Sequence, residues 1–515
     1  MHSSILFIFL CFLVNITSGF RVLIVSPIPS RSHYNLCRAL VDGLTKAGHD
    51  VTFVTPFEDK PPPGNGSFKV VNLANCMAPA PNAVSHNYFQ MEQMNPFFIA
   101  PLTNDLGEKC VKATFESEDV KKFLQSNQHF DAVIVESLFT DGLAAFACHF
   151  NAELITLSPL GAVQWINDVI GNPTPSSYVP NVFLGFSEHM NFWERSQNYL
   201  ISLITSLSHK FLTYPKHDDL VRKHFPNCPC VEEMNRNVAL ILSNSHESIS
   251  PTSPRVPNIV DIGGFHISPT SEKLPVDLQK LLDGAKDGVI YFSLGSHVKP
   301  SQMTLEMKHT LIKVLGSLNQ TVLWKWDDDS FPEGKPNNII VKKWFPQQQI
   351  LAHPNTKLFI TQAGLLSLSE TIYIGVPILA MPVVADQKSN AARAELLGIG
   401  KSLLFSNLNE ESFSSVLNEI LTNPKYLKTV KHRSKIYKDR PIHPLDLAVY
   451  WIEYVIRHKG APHLRVVGKD LPWYQYYCVD VVSLWIGLSL FPLYIIYKLF
   501  STSCCRNKKK KIKQS

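Results

Sequence analysis

The chain has 515 residues, of which 45% are hydrophobic and 18% charged, a globular composition with material for more than one core. Its formal net charge of +6 sits at one end: six of the 49 Lys and Arg residues are Arg506, Lys508, Lys509, Lys510, Lys511 and Lys513, and the other 43 balance 43 Asp and Glu. A neutral body argues against a nucleic-acid surface, and the length argues against a single ordinary domain.

Residues 1–19 read as a secretory signal, with an apolar core at 5–14 too short to span a bilayer and small residues (Thr17, Ser18, Gly19) for cleavage. An apolar strand at 21–27 and a short loop at 28–32 follow. Helical periodicity at 34–47 (Leu36, Leu40, Leu44) ends at Gly48, and 51–55 is the next strand. This βαβ start predicts a parallel sheet with helices on both faces. Residues 57–104, rich in Pro, Asn and Met, read as an irregular excursion. A strand at 131–135, a helix at 143–150 and a strand at 153–157 come next, then a second excursion at 166–186 with Pro173, Pro175 and Pro180. Loops of this kind on an α/β scaffold serve as substrate walls, and Phe89, Phe97, Phe98, Trp165, Phe183, Phe186 and Trp193 are candidates to line an apolar pocket.

A linker at 266–287 leads to a second α/β unit starting near Gly288, with strands at 289–294, 321–326, 339–342, 355–361 and 377–382 and a helix at 302–318. Residues 481–497 carry no charge, and with their apolar neighbours make a membrane span at 479–500. Trp473, Tyr474, Tyr476 and Tyr477 precede it as an interfacial belt, and the basic tail at 501–515 follows. The positive-inside rule places that tail in the cytosol and everything before the span in the lumen. Lys511 and Lys513 stand five and three positions from the end, a spacing similar to the dilysine address that returns membrane proteins to the endoplasmic reticulum. Cys504 and Cys505 sit where palmitoylation can occur. Seven scattered cysteines between signal and tail define no disulfide framework, and Cys228 and Cys230 are too close for most metal patterns. Asn65 and Asn319 head glycosylation sequons.

Neither strand–helix junction contains GxGxxG or a P-loop, which disfavours the usual nicotinamide and ATP enzymes. A different run stands out over residues 344–387. Trp344-Phe345-Pro346-Gln347 comes first, then His353-Pro354, Phe359-Ile360-Thr361-Gln362-Ala363-Gly364, Glu370, Gly375-Val376-Pro377 and Ala385-Asp386-Gln387, with Asn390 just behind. Trp344 offers a flat face for a base, and Gln347 an amide that donates and accepts. The strand ending at Thr361 turns through Gly364 into a new helix, whose first N–H groups favour a diphosphate. Asp386 and Gln387 can bind neighbouring sugar hydroxyls.

This ordered run resembles the signature of the UDP-glycosyltransferase family, which includes UDP-glucuronosyltransferases and UDP-glucosyltransferases. Further matches are Pro257-Asn258, Gly263-Gly264, Phe292-Ser293-Leu294-Gly295-Ser296, Pro444-Leu445-Asp446 and Arg457 through Ala461. The resemblance is to an insect-type member. It implies a GT-B fold, two Rossmann-like domains facing a cleft: an acceptor-binding domain at 20–265 and a UDP-sugar-binding domain at 288–440. A C-terminal helix and juxtamembrane segment at 441–478 and one transmembrane helix complete the chain. By the same resemblance Trp344 stacks on uracil and Gln347 holds base and ribose. Ser293, Gly295, Ser296, Gln362, Ala363 and Gly364 approach the phosphates, Glu370 the ribose, and Asp386 and Gln387 the hexose. Many members have His at the position of Gln362 and a polar residue at that of Leu366, so phosphate binding here leans on backbone N–H groups.

His33 lies in the loop after the first strand, where the family places its catalytic base, and an imidazole suits proton removal near neutral pH. Its orienting carboxylate falls on Glu136, with Asp141 as the alternative. The implied reaction is an inverting displacement that needs no metal or cofactor beyond the UDP-sugar co-substrate. The pattern favours UDP-glucose over UDP-glucuronic acid, and a small lipophilic aromatic acceptor, by O-glucosylation or by C-glucosylation of an aromatic polyketide. A glucuronosyltransferase of the detoxification type is the alternative, and a non-catalytic lipophile-binding protein on the same fold is another. A single span predicts an endoplasmic-reticulum membrane protein of type I topology. Homo-oligomerisation and disulfide pairing stay open.

Overall fold

A computed structural model describes the backbone of residues 19–74, 87–268 and 273–512, and their side chains except at residue 100 and at 503–512. Most of the proposed signal and the charged side chains of the basic tail therefore lie outside the described residues, as do the side chains of Cys504 and Cys505.

Two compact units result, residues 1–465 and 466–515. The first holds two wholly parallel sheets. The N-terminal sheet comprises β1 (Arg21–Val25), β2 (Asp50–Thr55), β3 (Phe68–Asn72), β4 (Ala132–Glu136), β5 (Glu153–Ser158), β6 (Leu240–Ser243) and β7 (Ile259–Asp261), in the order β3-β2-β1-β4-β5-β6-β7. The C-terminal sheet comprises β8 (Val289–Ser293), β9 (Thr321–Lys325), β10 (Ile339–Lys342), β11 (Thr356–Thr361), β12 (Ile378–Ala380) and β13 (Gly400–Ser402), in the order β10-β9-β8-β11-β12-β13. The central strands are continuous apolar runs because helices cover both faces: Val22, Leu23, Ile24 and Val25 are all inaccessible, as are Val289, Ile290 and Phe292.

Helix α1 (Arg31–Lys46) turns Leu36, Cys37, Leu40, Val41 and Leu44 onto the first sheet. The chain returns to this core after finishing the second sheet. Helix Pro444–Arg457 adds Ala448, Ile452 and Val455 to it and crosses α1 at Gly43, where a Cβ would stand 2.8 Å from Leu445 Cδ1.

The stretch 57–104, expected to be irregular, is partly ordered. It contains edge strand β3, whose Phe68 pairs with Val51, and the start of helix Ile99–Glu116. Residues 87–92 form a strap onto the C-terminal half. Phe89 is buried in that half's core, with its ring edge-on to Phe405 at 4.9 Å. The Glu92 carboxylate accepts the N–H groups of Phe405 (2.6 Å) and Ser406 (2.8 Å), and Asn87 donates to the Gln302 carbonyl at 3.2 Å. Stretch 266–287, read as a linker, contains helix Val276–Gly284, which buries Leu278 and Leu282 against the second sheet. A disulfide joins Cys148 to Cys228, a pairing that spacing alone did not reveal.

In the second unit one helix, Val479–Ile512, contains a 24-residue apolar stretch, Val479–Thr502, whose most apolar 18-residue window has a mean hydropathy of 1.9. At about 1.5 Å per residue it is long enough for a hydrocarbon core of about 30 Å.

Candidate functional site

In each sheet the chain starts in the middle and then builds outward in both directions. The crossover reverses between β1 and β4 in the first sheet and between β8 and β11 in the second. Loops leaving the carboxyl ends of such strand pairs diverge and leave a crevice, which is where open parallel sheets bind ligands. The predicted residues collect at these two points. His33 follows β1 and Glu136 ends β4. Ser293 ends β8, Gly295 and Ser296 follow it, and Gln362, Ala363 and Gly364 follow β11.

His33 occupies the first turn of α1, with its Nδ1 2.5 Å from Glu136 Oε1. Ser26, just past β1, donates to the other carboxylate oxygen, and Glu136 is 1% exposed. Burial pulls the His33 pKa down. The Glu136 charge, its hydrogen bond and the charge of Asp386 across the cleft more than offset this, so the pKa is raised above 6.5. Glu136 fixes the ring with the proton on Nδ1, and Nε2 has no partner among the described residues. Asp141, the alternative carboxylate, is engaged elsewhere: it pairs with His209 at 2.9 Å, because the 3-10 turn Asp141–Ala144 carries it away from His33 into the interior.

On the C-terminal side Trp344 is exposed, so its ring face is free. Gln347 donates to Glu370 Oε2 (2.5 Å) and to Ser367 (3.2 Å), while Gln348 donates to Glu370 Oε1 (2.8 Å). Burial pushes the Glu370 carboxyl up despite these two bonds. Gly364 opens helix α2 (Leu365–Ile374), whose first N–H groups lack intrahelical acceptors. Gly295 (φ +77°) lies in the left-handed region that favours glycine, and a Cβ there would displace the Gln362 amide, whose Nε2 would lie 2.2 Å away. Ser293 is buried and accepts from the Gly295 N–H at 3.3 Å, whereas Ser296 is exposed. Leu366, the other departure from the common pattern, packs against the N-terminal core.

Asp386 precedes helix α3 (Gln387–Leu396); burial raises its pKa against a hydrogen bond from Asn390 (2.7 Å). The Gln387 carbonyl oxygen accepts from the N–H groups of Val383 (2.8 Å) and Val384 (3.0 Å), leaving only its NH2 to meet a ligand. Two alanines adjoin this site in the left-handed region, Ala363 (φ 62°) and Ala385 (φ 59°). Each conformation costs an L-residue about 1–2 kcal/mol. Asn390 holds both turns, donating to the Ala363 carbonyl at 2.9 Å as well as to Asp386.

A cleft of about 920 Å3, its open mouth included, runs from Leu160 and Val179 past Phe186 to Leu365, Asp386 and Arg393. Of the seven aromatic candidates only Phe186 lines it. Trp165 and Phe183 stack in the interior at 5.9 Å, Phe89 belongs to the strap, and Phe98 and Trp193 face outward. Residues that the sequence left unremarked complete the site: Ser26 on Glu136, Lys325 donating to the Gly295 carbonyl at 2.9 Å, and His297 near His33. The only signal for them is position, at or just beyond the carboxyl ends of β1, β9 and β8.

The family profile described as UDP-glucoronosyl and UDP-glucosyl transferase matches residues 23–514. The chain belongs to the UDP-glycosyltransferase family. It is 32% identical to UDP-glycosyltransferase UGT5 of Dactylopius coccus, covering 95% of this chain and 93% of that one. It is 29% identical to UDP-glucuronosyltransferase 1A9 of Homo sapiens, covering 98% and 97%. The crystal structure of the glycotransferase of kitacinnamycin superposes with a TM-score of 0.58 at 17% identity, over 85% of this chain and 99% of that one. The two sheets are thus the halves of a GT-B fold. This glycosyltransferase uses the donor that its family implies, a UDP-sugar, and carries a candidate C-terminal membrane helix.

Proposed function

We propose that this transferase moves glucose from UDP-glucose to a small lipophilic aromatic acceptor by direct inverting displacement. The observation that carries this reading is the His33–Glu136 pair at 2.5 Å, with the charge of Asp386 acting on the same ring from the other half. The free Nε2 takes the acceptor proton as the acceptor oxygen, or an electron-rich ring carbon, forms its bond to the anomeric carbon. The bond from that carbon to the diphosphate breaks, and UDP leaves with the electron pair. The α2 amino terminus stabilises the departing charge, and Glu136 the imidazolium. No metal enters this scheme. Trp344 stacks on uracil, Gln347 and Glu370 hold ribose, and Asp386 with the Gln387 NH2 holds the hexose.

Glucose over glucuronic acid rests on charge. A uronate carboxylate calls for a free cation near the hexose end. Of the two cations on α3, Arg393 is ion-paired with both Glu188 oxygens, and Lys388 is held by a hydrogen bond to the Glu92 carbonyl. The Cys148–Cys228 disulfide suits an oxidising lumen, which supports catalytic halves inside the endoplasmic reticulum and the basic tail outside. Asn65 and Asn319 are exposed and so open to glycosylation there. Full-length protein in microsomes, offered both donors with a panel of phenols and polycyclic aromatics, should release UDP and give hexosides from UDP-glucose. Preference for UDP-glucuronic acid overturns the donor assignment. No product with any pair would favour a non-catalytic lipophile-binding role.

A further inference from the structure

His297 has no part in the scheme above, yet it stands where the two halves meet. It comes two residues after Gly295, on the loop leaving β8, and its Nδ1 is 3.4 Å from Ser30 Oγ in the loop before His33. Ser30 is 1% exposed, and its hydroxyl is also 2.9 Å from Ser32 Oγ. A Ser32–Ser30 chain donating to Nδ1 leaves the imidazole proton on Nε2. That nitrogen has no partner among the described residues, and the residue is open to solvent. The surrounding protein first, and the neighbouring His33 second, push the His297 pKa down to about 4, so the ring is a neutral N–H donor when no anion is bound.

The Gln362 amide lies against Gly295, so the loops after β8 and β11 touch, and His297 and Gln362 belong to the two loops that meet there. Helix α2 opens directly after this second loop, at Leu365. On the reading proposed above, this is where the donor's diphosphate sits.

We propose that His297 is a donor-contacting residue, whose Nε2–H hydrogen-bonds to the diphosphate from the β8 loop and supplies the imidazole contact that Gln362 cannot. Ser30 then acts as its positioning residue, setting the tautomer from the opposite half.

The test compares UDP with uridine, which differ by the diphosphate, in calorimetric titrations of the full-length protein in detergent. His297→Ala should weaken UDP binding about tenfold or more, the usual range for a hydrogen bond to a charged group, and leave uridine unchanged. Gln362→His in that background places an imidazole on the other lip and should restore most of the loss. Ser30→Ala should weaken UDP by a smaller factor. The proposal falls if His297→Ala binds UDP like the wild type, weakens UDP and uridine equally, or is matched in full by Ser30→Ala, which would make the histidine only a tie between halves. Wild-type protein that binds neither ligand would overturn the donor site itself. That result is distinct from a wild type that binds UDP and a variant that binds it equally well.

Discussion

Two histidine–carboxylate pairs of the N-terminal half, His33–Glu136 and His209–Asp141, have carboxylates five residues apart in sequence and behave as opposites. His33–Glu136 stands at the carboxyl ends of β1 and β4, with the histidine side chain 16% exposed and its second nitrogen unpartnered among the described residues. His209–Asp141 is sealed, with side chains 4% and 5% exposed, and Phe139 and Tyr214 lie against the ring. Asp141 is further enclosed by Asn235, which donates to its carbonyl at 3.0 Å, and by His217, which accepts the next N–H at 3.2 Å. Burial alone would raise the Asp141 pKa, but the charge and hydrogen bond of His209, with His217 behind, hold it below its ordinary value. On the function proposed here, the same two functional groups make a base where a substrate can reach the far nitrogen, and a strut where nothing can.

The largest effect expected from this contrast is on turnover. His33→Ala should lower kcat by about 10^2- to 10^4-fold while leaving the unfolding midpoint within a few degrees of wild type, because a half-open cleft residue is removed. Turnover on a phenol kept near the wild-type level would show that His33 is not the base. Asp141→Asn should do the reverse. The substitution leaves the buried His209 ring against a weaker acceptor, at a cost of about 1–3 kcal/mol in chemical denaturation, with activity per folded molecule retained. An unchanged denaturation midpoint, or a selective loss of kcat, would erase the distinction between the pairs.

The sequence separated these pairs only in part. Strands β1, β2, β10 and β11 were legible to within two residues, since each is an apolar run bounded by loop residues. Strand β3 was not, because Phe68–Asn72 is a half-buried edge with Lys69 exposed. The strap was invisible too: Phe89 and Glu92 act singly within a Met- and Asn-rich stretch, with no periodicity to mark them. The residues 344–387 stood out because their spacing in the chain follows the loops of one sheet, the pattern on which their proposed donor role rests. The choice between Glu136 and Asp141 turned on three-dimensional facts, the direction of the 3-10 turn after Thr140 and a partner for Asp141 sixty-eight residues away. The Cys148–Cys228 pairing is of the same kind, bridging a separation of 80 residues.

A smaller effect, on the donor alone, sharpens the contrast between a base and a binding platform. Trp344→Ala removes a stacking face worth about 1–3 kcal/mol per base in comparable settings, so the donor KM should rise about 5- to 150-fold with kcat nearly unchanged. An exposed Trp that leaves KM unmoved when removed is surface, not platform.

The smallest expected effect, and the most specific, is a displaced pH profile. A base works only while neutral, so the acid limb of kcat/KM reports the His33 pKa in the free enzyme. Burial lowers that pKa, but the Glu136 charge, its hydrogen bond and the Asp386 charge raise it further, so the limb should be centred above 6.5. Activity should accordingly be present above that midpoint and lost as pH falls through it. Glu136→Gln removes the charge and leaves burial opposed mainly by Asp386, so the residual activity should show its acid limb displaced to lower pH. His209→Asn, which alters the sealed pair, should leave the limb where it is. If Glu136→Gln lowers the rate without moving the limb, Glu136 only orients the ring. If His209→Asn moves it, the two pairs are electrostatically one system, and the separation between base and strut fails.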